Sequence, residues 1–257
     1  MSNDSILKTF LVAFLLCVVC SVLVCLAALV RIDREAYNKQ LEIRKTVLVA
    51  DGYQKQIDDG GDIDQLFLDN MELKIVDLET GEFATDVDSA TYDQRAALEN
   101  PDLTVKIPAE ANIAGMGSRA KYAAIYMTKD GDVVLPIWGA GMWGQMHGYV
   151  ALKEDGTTVK GFTFYEHAET PGLGAEVDNP HWKAQWPGKQ IFDNSGKLAI
   201  KVVKNGKYNS SAADANSTID GLAGATVTSM HVKDIVRYWF GENGYAKFLA
   251  KLKAKRG

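Results

Sequence analysis

Three hydroxyl side chains, Thr226, Thr228 and Ser229, close the stretch Asp220-Gly221-Leu222-Ala223-Gly224-Ala225-Thr226-Val227-Thr228-Ser229. Behind them Val232, Ile235, Val236, Trp239 and Phe240 recur at helical spacing, which predicts a helix with one buried face, and Gly241 is its expected stop. The hydroxyls therefore sit where a helix begins. The first N–H groups of a helix lack intrahelical partners and the dipole there is positive, so a phosphate is a favoured ligand. Gly221 and Gly224 let the backbone turn sharply and approach a bulky group closely. The same residues also support a plainer role, with Thr226 or Thr228 capping the helix and Gly224 making a turn. A Walker A loop is excluded, because no Gly-Lys-Ser/Thr follows.

Other stretches carry candidate chemistry. Trp138-Gly139-Ala140-Gly141-Met142-Trp143-Gly144 is poor helix and poor strand, and suits a loop that lays Trp143 or bare backbone against a flat ring. Its tryptophans could equally fill the core. In Glu169-Thr170-Pro171-Gly172-Leu173-Gly174-Ala175-Glu176, Pro171-Gly172 fits the centre of a type II turn. Trp182 and Trp186 share a helical spacing, more often a mark of core than of cofactor contact. His147, His167, His181 and His231 do not fall at metal-ligand spacings, and no Ser/His/Asp or Cys/His set appears. A dinucleotide fingerprint opening a helix is absent, which argues against binding of NADH by this chain.

The elements that must hold these residues follow from composition and pattern. Net charge is −5 and pI about 5.4, which argues against nucleic acid as a partner. The three cysteines, Cys17, Cys20 and Cys25, all lie near the start, so the rest of the chain has neither disulfides nor a cysteine metal site. They fall in an uncharged run over 9–30, about 33 Å as a helix, enough to cross a bilayer once. No clean cleavage site follows it, so an uncleaved anchor is expected. Lys8 precedes the run, whereas Arg31, Arg34, Lys39, Arg44 and Lys45 follow, a bias that by itself would leave the following domain in the cytoplasm. A helix is expected over 35–50 and another over 91–99, stopped by Asn100-Pro101. Strands are expected over 121–129, 133–138, 148–153, 159–166 and 198–204, with turns at Asp130-Gly131, Asp155-Gly156 and Asn205-Gly206. The chain then divides into a tail (1–8), a transmembrane helix (9–30), a membrane-proximal helix with the first part of the soluble domain (31–107), and the main domain (108–257). The fold class is α+β, a central antiparallel sheet with flanking helices behind one membrane anchor.

The 220–229 stretch resembles the flavinylation signature of the FMN-binding domain family, with Ala223 standing where Ser or Thr is usual. Together with Tyr165-Glu166-His167-Ala168 and the 169–176 stretch, the chain is similar over most of its length to the C subunits of sodium-translocating NADH:quinone reductases. The resemblance implies a covalent FMN esterified through its phosphate to Thr226, within Gly224-Ala225-Thr226 and beside Thr228, with Asp220 read by a flavin transferase. It implies Thr170, Leu173 and Gly174 close to the isoalloxazine, with Leu173 as an apolar contact. Lys204 is a candidate cation near the ring, where positive charge favours the reduced, anionic form, and an exposed salt bridge is its plainer role. The resemblance further implies an electron carrier between an iron–sulfur centre and another flavin on the way to ubiquinone, coupled to sodium export. The implied partners are other subunits of that complex, and the implied place is the bacterial inner membrane with the domain on the periplasmic side. The G subunit of an Rnf-type ferredoxin:NAD oxidoreductase is the alternative within the class. A membrane-anchored scaffold or sensor without redox chemistry is the alternative outside it.

Overall fold

Near-continuous apolar runs, such as Val133-Val134-Leu135, mark strands covered on both faces, and such strands make the centre of the sheet. The computed structural model describes residues 6–256. Its strands are β1 (Met71–Asp77), β2 (Glu82–Phe83), β3 (Thr104–Lys106), β4 (Ser118–Ala120), β5 (Tyr122–Thr128), β6 (Val133–Ala140), β7 (Gln145–Leu152), β8 (Val159–Glu166), β9 (Lys201–Val203) and β10 (Thr218–Asp220). Six of them form one sheet in the order β2-β1-β5-β6-β7-β8, antiparallel throughout. A parallel pair, β9 and β10, and a short antiparallel pair, β3 and β4, lie outside it. The α+β class with a central antiparallel sheet is what the structure has.

The helices are α1 (Ile6–Ala50), α2 (Gln54–Asp58), α3 (Ile63–Asn70), α4 (Pro180–Lys183), α5 (Thr226–Trp239) and α6 (Ala246–Arg256). The chain divides into two compact units, 1–43 and 44–257. Within the first, residues Ile6–Ala28 form a helix long and apolar enough to cross a membrane, and none of that window is buried in protein. A helix apolar all round and exposed all round calls for lipid. Residues 1–5 of the expected tail lie outside the described residues, and 6–8 are already helical. Within the second unit, β1 pairs with β5 along its whole length, so residues before and after 107 share one sheet.

α5 is held against β6 by close approach. A Cβ on Gly139 would lie 2.6 Å from Ile235 Cγ1, so only glycine lets the helix pack this near. Trp239 Nε1 donates to the Trp138 carbonyl at 2.7 Å, and Tyr245 Oη donates to that of Pro136 at 2.7 Å. The end of α1 passes so near β8 that a Cβ on Gly161 would lie 2.0 Å from the Ala50 carbonyl oxygen. There Lys160 bridges Asp51 at 2.9 Å and Asp132 at 2.5 Å.

Three expectations change. The strand expected over 198–204 is only Lys201–Val203, because Ala199 N and Ile200 N both donate to the Ile191 carbonyl and so take 198–200 out of the ladder. The stretch 91–99 is a turn followed by a 3-10 helix, Ala96–Glu99, because Asp93 accepts from the N–H groups of Arg95 and Ala96 and so delays the helical turn. Trp138, Gly139 and Ala140 belong to β6 rather than to a loop, and Trp138 is buried. Pairing with β7 from Val133 to Ala140 outweighs the low strand propensity of glycine.

Candidate functional site

Three connections meet at one end of the sheet. β6 leaves at Ala140 and β7 returns at Gln145, directly opposite, so 141–144 is a tight hairpin loop. His147 pairs with Glu166, which brings the exit of β8 and the following 167–174 stretch to the same end. The third connection is the 221–225 loop between β10 and α5.

That last loop is shaped by glycine and serine. Gly224 has φ +71°, a left-handed conformation that side chains resist. Ser229 Oγ accepts from Leu222 N at 2.8 Å and donates to the Ala225 carbonyl at 3.0 Å, which ties the loop to the first turn of α5. The N-cap residue is Ala225, which has no side chain able to cap. Thr226 is the first helical residue, it is exposed, and its hydroxyl makes no hydrogen bond among the described residues. Capping by Thr226 is therefore not its role here. Thr228 is no cap either: it is 2% exposed, and its hydroxyl donates to Glu169 Oε2 at 2.5 Å. The helix mouth thus offers an uncapped dipole end beside one free hydroxyl, an arrangement that suits a phosphate.

Glu169 also reaches the hairpin loop, where its Oε1 accepts from Met142 N at 2.7 Å and Trp143 N at 3.4 Å. One carboxylate therefore joins all three segments. Gly174 packs against it and against Thr228, while Leu173 lies across Gly224, whose Cβ would be 3.3 Å from Leu173 Cδ2. Met142, Trp143, Leu173, Val227 and Met230 are all strongly exposed, Trp143 to 65%. Exposed apolar side chains on three segments joined by one carboxylate are the kind of surface that suits a ligand or partner.

The other candidates lie around this centre. Thr170 is exposed, and its carbonyl accepts from Leu173 N and Ala175 N, closing the turn before Gly174. The carboxylate of Asp220 accepts from Gly206 N at 3.0 Å, and its backbone carbonyl accepts from Trp182 Nε1 at 2.9 Å. A cavity of about 420 Å³ opens between the 172–185 and 220–223 segments, with Asp220, Trp182, Gly172 and Ala223 in its wall. Lys204 is exposed just past β9, next to the Asn205-Gly206 turn that Asp220 holds. Trp182 and Trp186 are both buried, with Trp186 stacked on Phe162 at 3.8 Å, so they belong to the core. Glu169 is the residue to which sequence reasoning gave no role, and Ser229, placed at the helix start, proves to tie the loop rather than to face a ligand. The sign was available for Glu169: an acid between glycine-rich segments, with glycines at 141 and 174 whose missing side chains make room for it.

Comparison with known proteins gives the family. Residues 141–241 match the model of the FMN-binding domain, and they contain the hairpin loop, the 169–176 stretch and α5. The C subunit of the Na(+)-translocating NADH-quinone reductase of Vibrio anguillarum is 40% identical over 256 residues, covering 98% of this chain and 97% of the relative. That of Pseudomonas aeruginosa is 39% identical over 256 residues, covering 98% of each. The crystal structure of Shewanella oneidensis NqrC superposes with a TM-score of 0.73 at 33% identity, covering 83% of this chain and 97% of that one. With identity at this level over nearly the whole of both chains, the protein belongs to the family of C subunits of the Na(+)-translocating NADH-quinone reductase, and its cofactor is FMN.

Proposed function

We propose that this chain carries FMN covalently, through a phosphate ester to Thr226, and serves as an electron relay in a sodium-exporting NADH:quinone reductase. The observation that carries the reading is the exposed, unpartnered Thr226 hydroxyl at the mouth of an uncapped helix. When bound, FMN supplies a centre that takes up and gives back electrons one or two at a time. Attachment needs a transferase and an activated flavin donor of the flavin dinucleotide class. The Thr226 oxygen would form the new O–P bond as the donor's pyrophosphate bond broke, with a nucleoside monophosphate as leaving group and the hydroxyl proton taken up by the transferase. The N–H groups of the first turn of α5 would then hold the phosphate oxygens.

Around that anchor the chain supplies position. Leu173 and Trp143 offer apolar surface for the ring, and Thr170 and Gly174 shape the turn beneath them. Lys204 would bring positive charge toward the ring, favouring its reduced, anionic form. Asp220 orders the loop that a transferase must recognise. The anchor helix retains the carrier in the bacterial inner membrane, with the domain on the periplasmic side, where an ester bond keeps the cofactor from being lost. There the chain would pass electrons from an iron–sulfur centre in neighbouring subunits to another flavin on the way to ubiquinone.

Acid-denatured protein from a host that contains the flavin transferase, run on a gel, tests the reading. Flavin fluorescence should migrate with the wild-type chain and with Thr228→Ala, and should vanish in Thr226→Ala. A wild-type band without fluorescence would overturn it.

A further inference from the structure

Glu169 has no task in the reading above, yet the three segments of the site converge on it. It is 5% exposed, and among the described residues no lysine or arginine pairs with it. A carboxylate taken from water without a cation needs hydrogen bonds in compensation. Oε1 receives the N–H groups of Met142 and Trp143, and Oε2 receives the Thr228 hydroxyl. The backbone is held as well as the head. His167 Nδ1 accepts from Glu169 N at 3.2 Å, which leaves the ring proton on Nε2 to bind Asp178 at 2.8 Å. Room for the carboxylate exists only because two neighbours lack side chains. A Cβ on Gly141 would lie 2.6 Å from Oε1, and one on Gly174 would lie 2.4 Å from Oε2.

We propose that Glu169 is the positioning residue of the flavin site. It fixes the hairpin loop that faces the ring relative to the helix turn that carries the phosphate anchor. A group held at one end by Thr226 and touched at the other by the 142–143 loop has a single orientation only if those two segments cannot shift against each other. Glu169 bonds to both at once. By taking up the Thr228 hydroxyl it also leaves Thr226 as the free hydroxyl of the pair. This inference rests on the reading that FMN is attached at Thr226, and it asks what holds the ring rather than what holds the phosphate.

The test uses the full-length chain in detergent, made in a host with flavin transferase, as wild type, Glu169→Gln, Glu169→Ala and Thr228→Val. Intact mass reports attachment. Visible-band circular dichroism and the fluorescence anisotropy of the flavin report whether the ring is held. Gln keeps the geometry, since its carbonyl accepts the two N–H groups and its amide donates to Thr228 Oγ1, so it should preserve the wild-type signature. Ala should keep the attached mass but lose about threefold or more of the flavin ellipticity, because the shell that orients the ring is gone. Thr228→Val, which removes one of the bonds without emptying the site, should give a smaller loss of the same kind and stands in if Ala fails to fold. Four proteins with FMN attached and identical ring signatures, whatever their melting temperatures, would overturn the proposal while leaving the attachment intact. A bare wild-type polypeptide would overturn the attachment and this inference together.

Discussion

Replacing Gly174 by alanine tests how tightly the site is built. The residue opens the 3-10 helix Gly174–Asp178, and its φ lies outside the left-handed region, so alanine can adopt its backbone. The difficulty is space. The new Cβ would lie 2.4 Å from Glu169 Oε2, 2.6 Å from Thr228 Oγ1 and 3.0 Å from Glu169 Cβ, all well inside contact. Relief requires Glu169 or Thr228 to move, which breaks the bond between them. Overpacking of this kind costs about 1–3 kcal/mol. A hydrogen bond to a charged group adds about 1.5–3 kcal/mol, and the lower chain entropy of unfolded alanine returns about 0.4–1 kcal/mol. Gly174→Ala should therefore destabilise the domain by about 2–5 kcal/mol, a fall in Tm of about 4–20 °C for a domain of this size. Gly172→Ala is the control. It has φ +74° but nothing within 4 Å of a new Cβ, so it should cost only the left-handed strain, about 1–2 kcal/mol. Thermal unfolding of the full chain in detergent, followed by near-UV circular dichroism, measures both. A Gly174→Ala protein as stable as wild type, or more stable than Gly172→Ala, would refute the packing argument.

Two further predictions follow from the fold. Gly139→Ala would push a Cβ to 2.6 Å from Ile235 Cγ1 and 2.8 Å from the Ala114 carbonyl oxygen, driving α5 off β6. A loss of about 1–3 kcal/mol is expected in denaturant unfolding, and no loss would mean that α5 packs more loosely than described. Burial pushes Asp51 up to about 6 despite the opposing Lys160 ammonium. The folded chain thus holds this proton more tightly than the unfolded chain, so the contribution of Asp51 to stability falls as pH rises from about 4 to about 6. Asp51→Asn removes that dependence, and its Tm should gain on that of the wild type between pH 4 and pH 7. A Tm that loses ground across the same window would contradict the burial argument.

Much of this architecture was legible in the residues themselves. Apolar runs bounded by Asp-Gly turns located β5 to β8 closely, because hairpin pairing is local and each turn declares itself. The helix after Thr226 was legible for the same reason, its apolar face repeating at the helical period. What could not be read was long-range. Whether a threonine caps a helix or stands free depends on the residue before it and on what its hydroxyl meets in space. Thr228 meets a carboxylate 59 residues away in sequence, which no local pattern encodes. Trp138 and Trp143 come from one tryptophan–glycine stretch, yet one lies in the core and the other is exposed, since the β6–β7 pairing runs as far as Ala140 and stops. The glycines at 139, 141 and 174 looked like loop residues and prove to be places where other groups come too close for a side chain.

Peptide-level mass spectrometry of the full-length protein, purified from a host with flavin transferase, examines the central claim most directly. The peptide spanning 220–229 should carry one FMN, bound as a phosphate ester on Thr226, in the wild type and in Thr228→Ala, and none in Thr226→Ala. A wild-type peptide without the adduct, or an adduct located on Thr228, would contradict the account.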